Sequence, residues 1–189
     1  MIDHSKPEIV SARYRVPAAI ACILLLNAAL ASYLALTGRP LLTPDHPFQL
    51  WSTALGAGDN SLHLTDPYSL SHALFGIGLF FLVDGLKPGW PLAPKLVVAV
   101  AGSTVWELVE NTPFVIDLFN DASKEGAYQG DSIANALGDT AFVMLGFLFA
   151  ARVPVVVALA AGLGLEIAVG VLIDDGLLIG TLKLLGLYP

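Results

Sequence analysis

The stretch VPVVVALAAGLGLEIAVGVLI, residues 153–173, carries a single charge, Glu166, and is closed by Asp174, Asp175 and Gly176. At 1.5 Å per residue a helix of this length reaches about 30 Å, the thickness of a bilayer's hydrocarbon core. Working outward, four more runs of this kind appear. Residues 133–151 precede it and are closed by Arg152, Val153 and Pro154. Residues 90–108 are interrupted near their start by Lys95, and residues 70–86 end in the turn signal Gly85-Leu86-Lys87-Pro88-Gly89. Residues 17–38 follow Lys6, Arg13 and Arg15. A last apolar stretch, 176–189, contains Lys183 and is too short to cross comfortably. It reads as re-entrant or interfacial, with a short sixth span as the alternative.

Composition agrees. The chain has 189 residues, 56 % of them hydrophobic and only 13 % charged, against about a quarter charged in a soluble domain. Mean hydropathy is +0.73. The expected fold is an all-α integral membrane protein: one multi-pass domain over residues 1–189, a bundle of about five transmembrane helices plus the short C-terminal segment. Its first partner is the lipid bilayer. The net charge of −7 argues against nucleic acid, which needs a basic stripe. A single cysteine, Cys22, excludes an intrachain disulfide.

Five spans alternate the loops. Placing the N-terminus in the cytoplasm puts Lys6, Arg13, Arg15, Lys87, Lys95 and Arg152 inside and leaves Arg39, Lys124 and Lys183 outside, as the positive-inside rule prefers. The outer loops then carry Asp45, Asp59, Asp66, Asp117, Asp121 and Glu125. Ala29-Leu30-Ala31 resembles a signal-cleavage tripeptide, but the apolar run continues through Leu36, so an uncleaved span is expected.

Against this apolar background the acids stand out. A charge at bilayer depth costs about 2.5–3.5 kcal/mol on insertion scales, so an intramembrane acid is a functional candidate by default. Glu107, Glu110 and Asn111 are spaced i, i+3, i+4 and share one helix face before Pro113 ends the helix. Asp131, Asn135 and Asp139 step by four, and Asp131 is also placed to cap the helix that follows. Asp66 precedes the second span and His72 lies one turn into it. Gly76 and Gly78 follow His72 and would admit a neighbouring helix closely. Glu166 is the deepest acid, while Asp84, near the inner end of the second span, snorkels or pairs with Lys87.

Glu107, Glu110, Asp131 and Asp139 form an oxygen-rich set that suits Mg²⁺, Ca²⁺ or Mn²⁺ rather than zinc, though the sequence does not name the cofactor. His72, with Glu107 and Asp139, is the candidate catalytic group, because imidazole titrates nearest neutrality. Asp66, Asn111, Asn135 and Glu166 complete the polar site. Each has a structural reading beside it. Glu110 and Asp131 fit solvated helix ends, Asn111 and Asn135 fit interhelical hydrogen bonding, and His72 fits a packing residue. Three functions follow: metal-assisted chemistry on a lipid or lipid-linked substrate, cation or proton binding and transport, or an accessory role with a structural network. Below Asp139 the fourth span is Thr140-Ala141-Phe142-Val143-Met144-Leu145, dry apart from Thr140, which favours a site over a channel. Five spans without an internal repeat make a small transporter unless a homo-oligomer forms. No Gly-x-Ser-x-Gly, His-Glu-x-x-His or phosphate-loop motif is present.

Three ordered blocks carry a resemblance. DNSLHLTDPYSLSH at 59–72, WELVENTPFVID at 106–117 and YQGDSIANALGD at 128–139 resemble the signature of a family of uncharacterised bacterial multi-pass inner-membrane proteins of unknown function. The likeness runs from about Trp51 to Asp175. It implies residence in the bacterial inner membrane and supplies no activity. The chain departs from the family at Pro67, where an aromatic is usual, and over 120–125, usually more basic, which argues against an anionic ligand held there. The order of His, acidic and Asp/Asn positions also looks like the VanZ-like membrane proteins.

Overall fold

The computed structural model describes residues 6–43, 47–52, 60–123 and 128–187; Asp45, Asp59, Lys124 and Glu125 lie outside them. The described residues form seven helices and no strand. These are α1 (Lys6–Leu36), α2 (Pro67–Leu86), α3 (Leu92–Glu110), α4 (Pro113–Ser123), α5 (Ile133–Ala150), α6 (Val155–Ile173) and α7 (Leu177–Leu184). Five stretches are long and apolar enough to cross a bilayer: Val16–Leu36 of α1, and α2, α3, α5 and α6 entire. The fold is an all-α membrane bundle. Helix α7 has 8 residues, about 12 Å.

Local chemistry sets the ends. Asp66 is the N-cap of α2, accepting from the Tyr68 and Ser69 amides, while Ser69 Oγ accepts from the Asp66 amide; Pro67 fills the first turn, where no amide is required. At α5 the expected cap is corrected. Ser132, not Asp131, occupies the N-cap, its hydroxyl accepting from the Asn135 amide, because Asp131 is held by Asn111 instead. Pro113 also does more than end α3. It opens α4, so the stretch read as an outer loop contains a helix. A proline lacks only an amide that the first turn does not use.

Packing centres on α2 and α5. Of the α5 span 61 % is buried, against 17 % for α1 and α6, so α5 is the inside helix and the other two face lipid. Gly76 of α2 lies against the Val143 carbonyl of α5, and Gly146 of α5 against the Ala73 carbonyl of α2, so a Cβ at either would collide with backbone. Gly78 makes no such approach; open space surrounds it, because its side of α2 faces away from α5. Leu30 and Leu34 of α1 pack with Ile133 and Ala136 of α5, and Ile77, Ala150 and Ala158 join α2, α5 and α6. Asp84 pairs with Lys95 at 2.5 Å rather than with Lys87, whose ammonium lies over Trp90. Lys95 is 4 % exposed, and the pair with Asp84 explains how α3 tolerates it.

Candidate functional site

The start of α2, the end of α3 and the start of α5 meet at one end of the bundle, and the α6–α7 turn closes beside them. There, five acids, Asp66, Glu107, Glu110, Asp131 and Asp139, assemble with a histidine. His72, in the second turn of α2, stands between two carboxylates: Nδ1 lies 3.6 Å from Glu107 Oε1 and Nε2 lies 3.7 Å from Asp139 Oδ2. Asp139 Oδ1 accepts from Ser69 Oγ at 2.5 Å. Glu107 is fully buried, and neither of its carboxylate oxygens has a hydrogen-bond partner. Donor atoms of His72, Glu107 and Glu110 lie within 4.8 Å of one another. The side chain of Trp106 hydrogen-bonds Glu110.

A second layer fixes this cluster. Asn111 Nδ2 donates to Asp131 Oδ2 at 2.6 Å, and the Asp131 amide donates to Asn111 Oδ1 at 2.8 Å. The hydroxyl of Tyr128 donates to Asp131 Oδ1 at 3.1 Å, and Ser61 bonds the same carboxylate. Asn135 Nδ2 donates to Asp66 Oδ2 at 3.2 Å, tying α5 to the cap of α2. Arg39 donates to the carbonyls of Gln129 and Asn111, which pins the approach to α5 against α3. Asn111 and Asn135 thus hold the fold together, and Asp131 lines the cavity with both oxygens engaged.

A cavity of about 290 Å³ opens beside the cluster. Ser71, His72, Glu110, Asp131 and Asp139 form its polar wall, and Phe75, Trp106 and Phe119 its apolar wall. Gly176, Leu177, Gly180, Thr181 and Lys183 of the α6–α7 unit close one side. Glu166 does not join the central cluster. Its carboxylate accepts from the amides of Leu177 and Leu178, at 3.3 and 2.7 Å, and so holds the first turn of α7. The hydroxyl of Tyr68 donates to Asp175 Oδ2 at 3.0 Å, and Lys183 donates to the Asp174 carbonyl, linking that unit to α2.

Sequence reasoning overlooked Tyr68, Ser69, Tyr128 and Asp175. Ser69 carried a signal, three residues beyond a capping Asp66. Tyr68 and Asp175 come together from distant segments and gave none, and Tyr128, three residues before Asp131, lies in a segment without periodicity.

The electrostatics are one-sided. Burial, reinforced by the charge of Asp139, pushes the Asp66 carboxyl well above the usual range. Burial also raises Asp131, outweighing the hydrogen bonds from Asn111, Ser61 and Tyr128 that oppose it. The Tyr128 hydroxyl is raised by burial and by the neighbouring Asp131 charge. Carboxylates this close repel unless protons or a cation neutralise them.

A helical membrane bundle with a carboxylate-rich cavity at one end defines a class of polytopic membrane protein. Within it, the chain belongs to the family described as Protein of unknown function (DUF2585), which it matches over residues 34–189. It is 36 % identical over 163 residues to a UPF0314 protein of Brucella anthropi, covering 86 % of this chain and 83 % of the relative. It is 38 % identical over 170 residues to one of Rhizobium etli, covering 88 % and 85 %. A UPF0314 protein of Novosphingobium aromaticivorans is 36 % identical over 156 residues, 78 % and 77 % of the two chains. No solved structure matches. The expected membership of an uncharacterised family holds, and the three signature blocks fall inside the matched span. The VanZ-like resemblance rests on spacing alone.

Proposed function

We propose that this is a bacterial inner-membrane protein whose outward-facing cavity holds a divalent cation and applies it to a phosphorylated lipid or lipid-linked substrate. The observation that carries the reading is the convergence of donor atoms from His72, Glu107 and Glu110 within 4.8 Å, with both Glu107 oxygens buried and without a hydrogen-bond partner. Buried polar atoms are ordinarily satisfied, and a cation would satisfy these. Asp139 stands on the far side of His72 and would orient the imidazole, as carboxylates do for ligating histidines. One imidazole among carboxylates moves the choice among Mg²⁺, Ca²⁺ and Mn²⁺ toward Mn²⁺. The metal would act as a Lewis acid on a phosphoryl oxygen.

Orientation is part of the proposal. Lys87 and Lys95 near the α2–α3 turn, and Arg152 at the α5–α6 turn, mark the end opposite the cavity, which the positive-inside rule puts in the cytoplasm with the N-terminus. Toward that end the polar contacts of the cluster reach Ser103 and Thr140, 3.4 Å apart, and the buried Val100, Val143 and Phe147 separate them from the Asp84–Lys95 pair at the other end. That dry middle layer supports a binding site over a transport path.

Metal analysis of the detergent-purified protein, beside Glu107→Gln and Asp139→Asn, tests this. About one divalent ion per chain is expected in the wild type and none in Glu107→Gln. Mn²⁺ at about 100 times its Kd would add about 2.7 kcal/mol and raise the wild-type Tm by several degrees. Protein without metal, with melting unchanged by Mn²⁺, Mg²⁺ or Ca²⁺, overturns the reading.

A further inference from the structure

Helix α2 meets a neighbour on three of its sides. Gly76 and Gly146 bring α5 against the first. On the second, Leu79 lies 3.8 Å from where a Cβ at Gly102 of α3 would stand. On the third, Leu74 lies 3.0 Å from the corresponding point at Gly162 of α6. Helices α3 and α6 make no extended contact with each other. The side left over is the stripe Ser71, Phe75, Gly78 and Leu82, spaced i, i+4, i+7 and i+11. Ser71 and Phe75 line the cavity, a Cβ at Gly78 would meet nothing within 4 Å, and Leu82 is 56 % exposed. Below the cavity the stripe is left uncovered, a slot between α3 and α6 that faces hydrocarbon.

The geometry points to lateral entry of a membrane phospholipid, its headgroup in the cavity and one acyl chain in the slot along Phe75, Gly78 and Leu82. From Ser71 to Leu82 the helix rises about 16 Å, close to the depth of one leaflet in a core of about 30 Å. A wholly apolar occupant would set hydrocarbon against the carboxylates of Glu110 and Asp139 and leave the Ser71 hydroxyl without a partner at the top. A small polar ligand would leave the slot unfilled. An amphiphile answers both ends. Ser71 Oγ, buried and without a hydrogen-bond partner, sits at the junction, where an ester or phosphate oxygen would accept from it. The inference rests on the proposed reading of the cavity as a headgroup site, and it adds the substrate class and the route.

The test is native mass spectrometry of the full chain released from detergent, counting co-purified phospholipid, with metal content measured on the same samples. A Cβ at Gly78 meets nothing within 4 Å, so Gly78→Leu puts its side chain into the slot, and leucine favours helix over glycine, so the fold is kept. Gly164, on the outer side of α6 with nothing within 4 Å of a Cβ, supplies the control Gly164→Leu. One retained phospholipid per chain is expected for the wild type and for Gly164→Leu. Gly78→Leu should retain about tenfold less, with its metal unchanged. Equal retention in wild type and Gly78→Leu, or equal loss in both leucine variants, overturns the slot. Lipid displaced by Gly78→Leu from a protein that never carries metal overturns the cation reading and leaves the slot standing.

Discussion

Asn111 shows how much one side chain at this end of the bundle has to hold. Its amide exchanges two hydrogen bonds with Asp131, at 2.6 and 2.8 Å, and also donates to the Glu107 carbonyl at 3.1 Å. Asn111→Leu would leave a buried amide and one carboxylate oxygen of Asp131 unsatisfied, at about 1–3 kcal/mol for each group. A loss of about 2–4 kcal/mol is expected in denaturant unfolding of the detergent-solubilised protein. A loss well under about 1 kcal/mol would show that solvent replaces these partners. Residues were legible in the sequence to the degree that their surroundings were apolar. Glu107 and Asp139 stood out because nothing near them in the chain explains a charge. The reciprocal Asn111–Asp131 pair could not be seen, since it depends on a backbone amide twenty positions away. Tyr128, only three positions from Asp131, was hidden because its segment has no periodicity to show where its side chain points.

At the scale of elements, hydropathy located the crossing helices and missed what lies between them. The α2 helix begins three residues before its apolar run, because the Asp66–Ser69 capping box and Pro67 extend it into polar sequence. Helix α4 went unread because Pro113 was taken only as a terminator. Glu166 was read as a deep acid of the central cluster, but its partners are backbone amides of α7, which leave no trace in side-chain spacing. The α2–α3 turn makes the sharpest prediction at this scale. Lys95 Nζ donates to Asp84 Oδ1 and, at 3.3 Å, to the Pro88 carbonyl. Removing one partner of a buried pair costs about 3–5 kcal/mol when both are buried. Here the Asp84 side chain is 47 % exposed, so Asp84→Asn should cost about 1–2 kcal/mol, nearer the surface range. Lys95→Met should cost less than Asp84→Asn, because it leaves only a half-solvated carboxylate behind. Thermal melts of the two variants in one detergent decide it; the reverse ranking would mean that Lys95 reaches solvent through the turn.

The whole molecule concentrates its acids at one end and its stability should follow their protonation. Asp66 and Asp131, just outside the spans, both have carboxyls raised by burial. A group that holds its proton more tightly in the folded than in the unfolded chain makes the folded state the better proton binder. Its contribution is complete below the ordinary carboxylate range and is lost as pH rises through the folded value. Without divalent ions, the Tm should therefore be higher at about pH 5 than at about pH 8. A cation bound by His72, Glu107 and Glu110 would supply at pH 8 the positive charge that protons supply at pH 5. Mn²⁺ should then recover much of the loss at the higher pH and do less at the lower, where protons compete with it for the carboxylates. Glu107→Gln should keep the fall with pH and lose the response to Mn²⁺, which separates the general repulsion of the cluster from the particular site. A Tm that rises from pH 5 to pH 8 without metal would mean that these carboxyls are ionised and compensated in the folded protein. The pull toward a cation at this end of the bundle would then be gone.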